Sequence, residues 1–125
     1  MKGCKMILVD TSVWIDHLRN GNRQLVNLLN DGDVICHPFI VGELACGNIK
    51  NRKEVLSLMQ SLPTAIQASH QEMLKFIEIK KLMGKGLGYI DAHLLASTFL
   101  SNVTLWSLDK KLSEIALRMK VGYKE

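Results

Sequence analysis

Met6-Ile7-Leu8-Val9-Asp10-Thr11-Ser12-Val13-Trp14 is the stretch on which the reading of this chain turns. Met6 to Val9 is a short unbroken apolar run, as expected of a strand buried on both faces of a parallel sheet, where helices cover either side. The run stops at an acid. Thr11 and Ser12 are residue types that cap helices, and Val13, Trp14 and Leu18 then recur at helical spacing until Asn20-Gly21-Asn22 turns the chain. The same order of strand, acid and helix returns near the other end. There Val103 to Trp106 is a β-branched and apolar run, Ser107-Leu108-Asp109 follows it, and Lys110 to Met119 is amphipathic.

Between these two units the pattern predicts further elements. Arg23 to Asn30 is a helix carrying Leu25, Leu28 and Leu29; Asp31-Gly32-Asp33 ends it, and Val34 to Cys36 is a second strand. Pro38 suits the first turn of a helix, and Phe39 to Ala45 sets Ile40, Val41 and Leu44 on one face, with Glu43 out of character in an otherwise apolar segment. Arg52 to Leu62 and Gln71 to Met83 read as two more helices, the second with Met73, Phe76, Ile77 and Met83 on one stripe, and a very short strand is expected near Ala65. The connector Gly84-Lys85-Gly86-Leu87-Gly88 has the makings of a hinge. It leads into a strongly apolar helix, Tyr89 to Leu100, with Ile90, Leu94 and Phe99 expected to face the core and Asp91 in its first turn. Val121 to Tyr123 is expected as an edge strand. Strands alternating with helices, without a linker or repeat, give one α/β domain over residues 1–125.

Composition narrows the function. Of 125 residues, 47% are apolar and 22% charged, and no apolar run approaches the ~20 residues of a membrane span. The apolar stretch after the basic start is too short for a signal peptide, so a cytoplasmic location is expected, with no membrane contact. Cys4, Cys36 and Cys46 form no C-x-x-C pair, which argues against a disulfide framework or a thiolate zinc site and predicts reduced, mostly buried thiols. The formal charge of +4 permits nucleic-acid contact without requiring it.

In open parallel sheets functional groups collect beyond the carboxyl ends of the strands, which is where Asp10 and Asp109 fall. Asp91 and Glu43, each near the start of a helix, are placed to reach the same crevice. Two carboxylates ~4 Å apart repel by about 4 kcal/mol at an effective dielectric of ~20, so such a cluster protonates, spreads or binds cations. Oxygen-only ligands suit Mg²⁺ or Mn²⁺, ions that keep waters and engage phosphate oxygens. Setting these four acids aside leaves sixteen basic against eight acidic side chains, an acidic crevice in a basic surface, which fits a nuclease better than a small-molecule enzyme.

Four segments then form a recognisable series: Val9-Asp10-Thr11-Ser12-Val13-Trp14-Ile15, Gly42-Glu43-Leu44, Tyr89-Ile90-Asp91-Ala92-His93-Leu94-Leu95-Ala96 and Leu105-Trp106-Ser107-Leu108-Asp109-Lys110-Lys111-Leu112. In order and spacing the series resembles PIN-domain ribonucleases, especially the VapC toxins of type II toxin-antitoxin pairs, over nearly the whole chain. The resemblance implies a three-layer α/β sandwich with a central, mostly parallel sheet flanked by helices. It also implies metal-dependent endonucleolytic cleavage of RNA, with Asp10, Glu43, Asp91 and Asp109 as the catalytic and metal-holding acids and Ser12 and Ser107 as supporting hydroxyls. Mg²⁺ or Mn²⁺ is the implied cofactor, and a cognate antitoxin and a second copy of the chain are the implied partners besides RNA. Leu108 and Leu112 occupy positions that vary in the family.

Each residue also has a plainer reading. Asp10, Asp91 and Asp109 are placed to cap or stabilise helix N-termini, and Glu43 to sit on the wet face of its helix. His93 is expected to be packed, Trp14 and Trp106 to be core, and Lys50, Arg52 and Lys53 to be solvated surface. Two rival functions share the length and the acids. A phosphoacceptor receiver needs paired acids after its first strand and a late strand-end lysine, and a haloacid-type phosphatase needs a second aspartate two residues beyond Asp10; neither arrangement is present. A catalytically silent RNA-binding domain would not need four converging acids.

Overall fold

Strand β1 (Ile7–Val9) lies between β2 (Val34–Ile35) and β3 (Thr104–Trp106), all parallel, in a computed structural model that describes residues 6–124. Cys4 and the basic start of the chain fall outside the described residues. The register sets Ile7 opposite Val34 and Thr104, and Leu8 opposite Ile35 and Leu105. Leu8 and Val9 are fully buried, so the unbroken apolar run does mark a central strand covered on both faces. Among the described residues seven helices flank the sheet: α1 (Thr11–Asn20), α2 (Arg23–Asn30), α3 (Pro38–Ala45), α4 (Arg52–Ser61), α5 (His70–Ile79), α6 (Tyr89–Ser101) and α7 (Lys110–Arg118). This is the expected three-layer α/β sandwich.

The two outermost strands shrink to single bridges, Cys36 with Thr64 and Leu105 with Gly122. At the first, the Cys36 N–H donates to the Pro63 carbonyl and the Ala65 N–H to the Cys36 carbonyl; Pro63 has no N–H with which to extend the ladder. At the second, a Cβ on Gly122 would lie 2.6 Å from Leu117 Cδ2 and 2.9 Å from the Leu117 backbone nitrogen, so only glycine lets the tail close against α7.

Helix α5 stops at Ile79, four residues short of the expected Met83. Lys81 takes φ +55°, its N–H donating to the Glu78 carbonyl and the Leu82 N–H to that of Ile77, which is a Schellman ending with lysine in the position glycine usually fills. The reversal sends Leu82 into the core and leaves Met83 57% exposed, so Leu82 completes the buried stripe. Helix α6 is buried continuously from Ala92 to Thr98, and Phe99, expected in the core, is 40% exposed. It packs on Phe76 at 5.9 Å between ring centroids, with the Lys80 ammonium 4.8 Å from its ring. Cys36 is buried as expected, whereas Cys46 is exposed; both are free thiols. Among the described residues no helix is long and apolar enough to cross a membrane.

Candidate active site

The sheet delivers Asp10 to the carboxyl end of β1, where its N–H still bonds to the Trp106 carbonyl at 2.9 Å. Asp10 occupies the N-cap position of α1, but its side chain makes no capping bond, which sets the plainer reading of this residue aside. The carboxylate is nearly buried, at 6% exposure, and its Oδ2 accepts two hydroxyl hydrogen bonds, from Ser12 Oγ and Ser107 Oγ, each at 2.8 Å. The Ser12 hydroxyl in turn accepts from the Leu108 N–H at 2.9 Å, and that of Ser107 from the Asp109 N–H at 3.0 Å. Both serine protons point at Asp10, so the 3.4 Å approach of the two hydroxyl oxygens carries no proton of its own. This network clamps the exit of β1 to the exit of β3.

Asp109 is the N-cap of α7, with Oδ2 accepting from the Leu112 N–H at 2.9 Å. Its capping role is therefore real, and it employs one of the two carboxylate oxygens. Glu43 is exposed on α3, where its Oε1 accepts from Thr11 Oγ1 at 2.7 Å. Thr11 thus orients Glu43 across to α1, a function that its reading as a capping residue missed. In each of Asp10, Glu43 and Asp109 one oxygen is held by the fold, and the other makes no hydrogen bond among the described residues.

Asp91, half-buried in the first turn of α6, ties the four acids together. Its carboxyl is pushed above the ordinary aspartate range, first by burial and next by the charge of Asp10, with smaller contributions from Asp109 and Glu43; a backbone hydrogen bond at Gly88 opposes the rise. Asp10, Asp109 and Glu43 are therefore close enough to Asp91 for their charges to act on it. They do not close into a ready-made cage, since among the described residues no three acidic, histidine or cysteine groups converge tightly enough to hold an ion. An oxygen-only donor set with unengaged oxygens still fits Mg²⁺ or Mn²⁺, which commonly take one or two carboxylates, several waters and substrate phosphate oxygens.

Two histidines, one at the start of α3 and one in α6, lie with ring centroids 6.3 Å apart. His93 is buried, edge-on to Phe39 at 4.8 Å and to Tyr89 at 4.7 Å, in the packed role expected of it. His37 is the N-cap of α3, its Nδ1 accepting from the Phe39 N–H at 3.0 Å, and burial with the nearby His93 lowers its pKa to about 4. The signal for that cap was present in Pro38, because a proline at the first helical position makes the residue before it the cap. Trp14 and Trp106 are core residues. Arg52 is committed to the Ala45 carbonyl at 2.6 Å, while Lys50 lines a groove that includes Glu43.

A family model described as PIN domain matches residues 7–117 of the chain. Ribonuclease VapC32 of Mycobacterium tuberculosis, in strains CDC 1551 / Oshkosh and ATCC 25618 / H37Rv, is 44% identical over 121 residues, which is 96% of this chain and 98% of that protein. Among solved structures, FitAcB from Neisseria gonorrhoeae superposes with a TM-score of 0.62 at 23% identity, over 94% of this chain and 95% of that one. PAE2754 from Pyrobaculum aerophilum gives 0.60 at 15% identity, over 92% and 83% of the two chains. These two likenesses establish the fold.

Proposed function

Because the chain belongs to the PIN domain family, we propose that it is an endoribonuclease of the VapC kind, the toxin of a type II toxin-antitoxin pair, acting on RNA phosphodiester bonds with Mg²⁺ or Mn²⁺. The observation that carries the reading is the hydrogen-bonded group in which Ser12 and Ser107 hold the nearly buried Asp10 carboxylate beside the N-cap Asp109 while Thr11 holds Glu43, with Asp91 close enough to feel their charges. The 44% identity to a protein named as a ribonuclease supports the activity, and the family assignment displaces the receiver and phosphatase readings.

Asp10, Glu43, Asp91 and Asp109 are the residues that would hold the cation. When bound, it supplies positive charge at phosphorus and makes a water acidic enough to act as nucleophile near neutral pH. The protein's own part is positioning. Ser12 and Ser107 fix the Asp10 carboxylate by its Oδ2 and leave Oδ1 without a hydrogen bond among the described residues, Thr11 does the same for Glu43, and the cap bond to Leu112 holds Asp109. The raised pKa of Asp91 reflects its burial and the neighbouring carboxylates, and a cation held there would lower it again. A cognate antitoxin bringing a basic side chain to the crevice would neutralise the same charge. A homodimer in the cytoplasm completes the proposal.

The test compares RNA cleavage by the purified chain and by Asp10→Asn, each with Mg²⁺, with Mn²⁺ and with chelator. Cleavage only by the unaltered chain and only with the cation is expected. Equal cleavage by both proteins would overturn the assignment, and RNA binding without any cleavage would leave the silent RNA-binding reading.

A further inference from the structure

A groove of about 400 Å³ adjoins the acidic crevice, between α1 and the turn that joins α3 to α4. Ile15, Leu18 and Ile49 give it an apolar floor, Arg19 and Lys50 are its cations, and Glu43 is the wall it shares with the crevice. Both cations are exposed, and among the described residues Glu43 is the only carboxylate in the lining. Away from that wall, the groove is therefore positive over an apolar surface, which is unlike the crevice beside it.

We propose that this groove is a nucleotide subsite, holding the RNA residue next to the scissile phosphate. The inference rests on the ribonuclease reading and deepens it. A phosphodiester placed at the acids obliges the next nucleotide to lie on adjoining surface, and Glu43 makes the groove continuous with that position. Arg19 and Lys50 neutralise the neighbouring phosphate, the floor of Ile15, Leu18 and Ile49 takes the face of the base, and the Asn48 side-chain amide, donor and acceptor together, meets its edge. Charge complementarity favours RNA over a protein segment, because the phosphate that answers the two cations is already tethered to the one at the acids. The volume is within the roughly 300–1,000 Å³ of sites that enclose small ligands.

The test uses Asp10→Asn protein as a non-cleaving background and a labelled, short, single-stranded RNA of random sequence, with affinity measured across a salt series. Adding Arg19→Ala and Lys50→Ala weakens binding and flattens the dependence of log K on log salt by about 0.7, from the one phosphate the two cations neutralise. Removing the same charge elsewhere, as Lys75→Ala with Arg118→Ala, leaves the slope in place. In the cleaving chain, Ile49→Ala changes the base preference at one position beside the cut, read by sequencing product ends from a random RNA pool. An unchanged slope overturns the proposal and leaves the groove to a protein partner, and an unchanged base profile overturns it as well. Failure of the ribonuclease reading would look different, as the absence of Asp10-dependent cleavage in the unaltered chain.

Discussion

Asp10 receives both of its side-chain hydrogen bonds on one oxygen, and each donor serine accepts a backbone N–H from the segment after β3. A network of this kind is cooperative, so its members should not contribute independently. Ser12→Ala and Ser107→Ala should each destabilise by roughly 1–3 kcal/mol, because each leaves the nearly buried Asp10 carboxylate with one donor fewer, and Ser107→Ala also takes the acceptor from the part-buried Asp109 N–H. A double-mutant cycle in urea should return a coupling of at least ~0.5 kcal/mol. Strict additivity would mean that the two hydroxyls hold Asp10 separately. His37 gives a second expectation at this scale. Its folded pKa of about 4 lies below the unfolded value of about 6.5, so the unfolded chain binds more protons in that window. The stability it contributes is complete above about 6.5 and is lost as pH falls toward about 4, at no more than about 1.4 kcal/mol per pH unit. His37→Asn keeps a capping acceptor and removes the titration. The difference between the two proteins in unfolding free energy should therefore vary with pH across that window, and a constant difference would show that His37 does not titrate there.

The elements were legible where a local rule decides them. The β1 run, the strand-acid-helix units and the caps follow from residue order, and the cap at Asp109 leaves its other carboxylate oxygen free for the catalytic role proposed for it. Because Oδ2 caps α7 and Oδ1 is unengaged, two substitutions separate the roles. Asp109→Asn retains an oxygen for the Leu112 N–H and should leave thermal stability nearly unchanged, whereas Asp109→Ala should cost about 1 kcal/mol. Both should abolish RNA cleavage. Stability equal in all three proteins would remove the cap, and cleavage surviving in Asp109→Asn would remove the carboxylate from the chemistry. What was not legible depends on partners distant in the chain. Met83 has the spacing to continue the α5 stripe, yet the left-handed turn at Lys81 gives its place to Leu82, and nothing in a lysine announces that turn. Phe99 reads as core by its size, but helix α6 already buries every residue from Ala92 to Thr98, leaving Phe99 to Phe76 and Lys80 on the outside. Thr11 looks like one more capping hydroxyl until α3 brings Glu43 to it across 32 residues.

At the scale of the whole molecule, folding works against the crevice that function is proposed to use. In a chain of net charge +4, the Asp91 carboxyl has its pKa raised first by burial and then by the charges of Asp10, Asp109 and Glu43. The sequence predicted a gathering of these acids from topology, since parallel strands send their connections to one end of the sheet, but it could not give their spacing, and among the described residues no three of them converge on one point. Repulsion of this kind is relieved by a divalent cation or by removing a charge, and the two remedies should exclude each other. In chelator, Asp91→Asn should be more stable than the unaltered chain by on the order of 1 kcal/mol, the common gain when a functional charge cluster is dismantled. That advantage should fade as pH falls, because the folded pKa of Asp91 lies above its unfolded value: the folded chain binds the proton first, and acid removes the repulsion from the unaltered protein. With Mg²⁺ or Mn²⁺ at a hundredfold excess over its dissociation constant, the unaltered chain should gain about 2.7 kcal/mol, or about 10 °C in Tm at ~2.1 cal/mol/K per residue over this length. Asp91→Asn should gain much less under the same conditions. Thermal unfolding at matched ionic strength measures all four combinations. Equal gains in the two proteins, or none beyond that of monovalent salt, would show that the acids meet in the crevice for some purpose other than holding a cation.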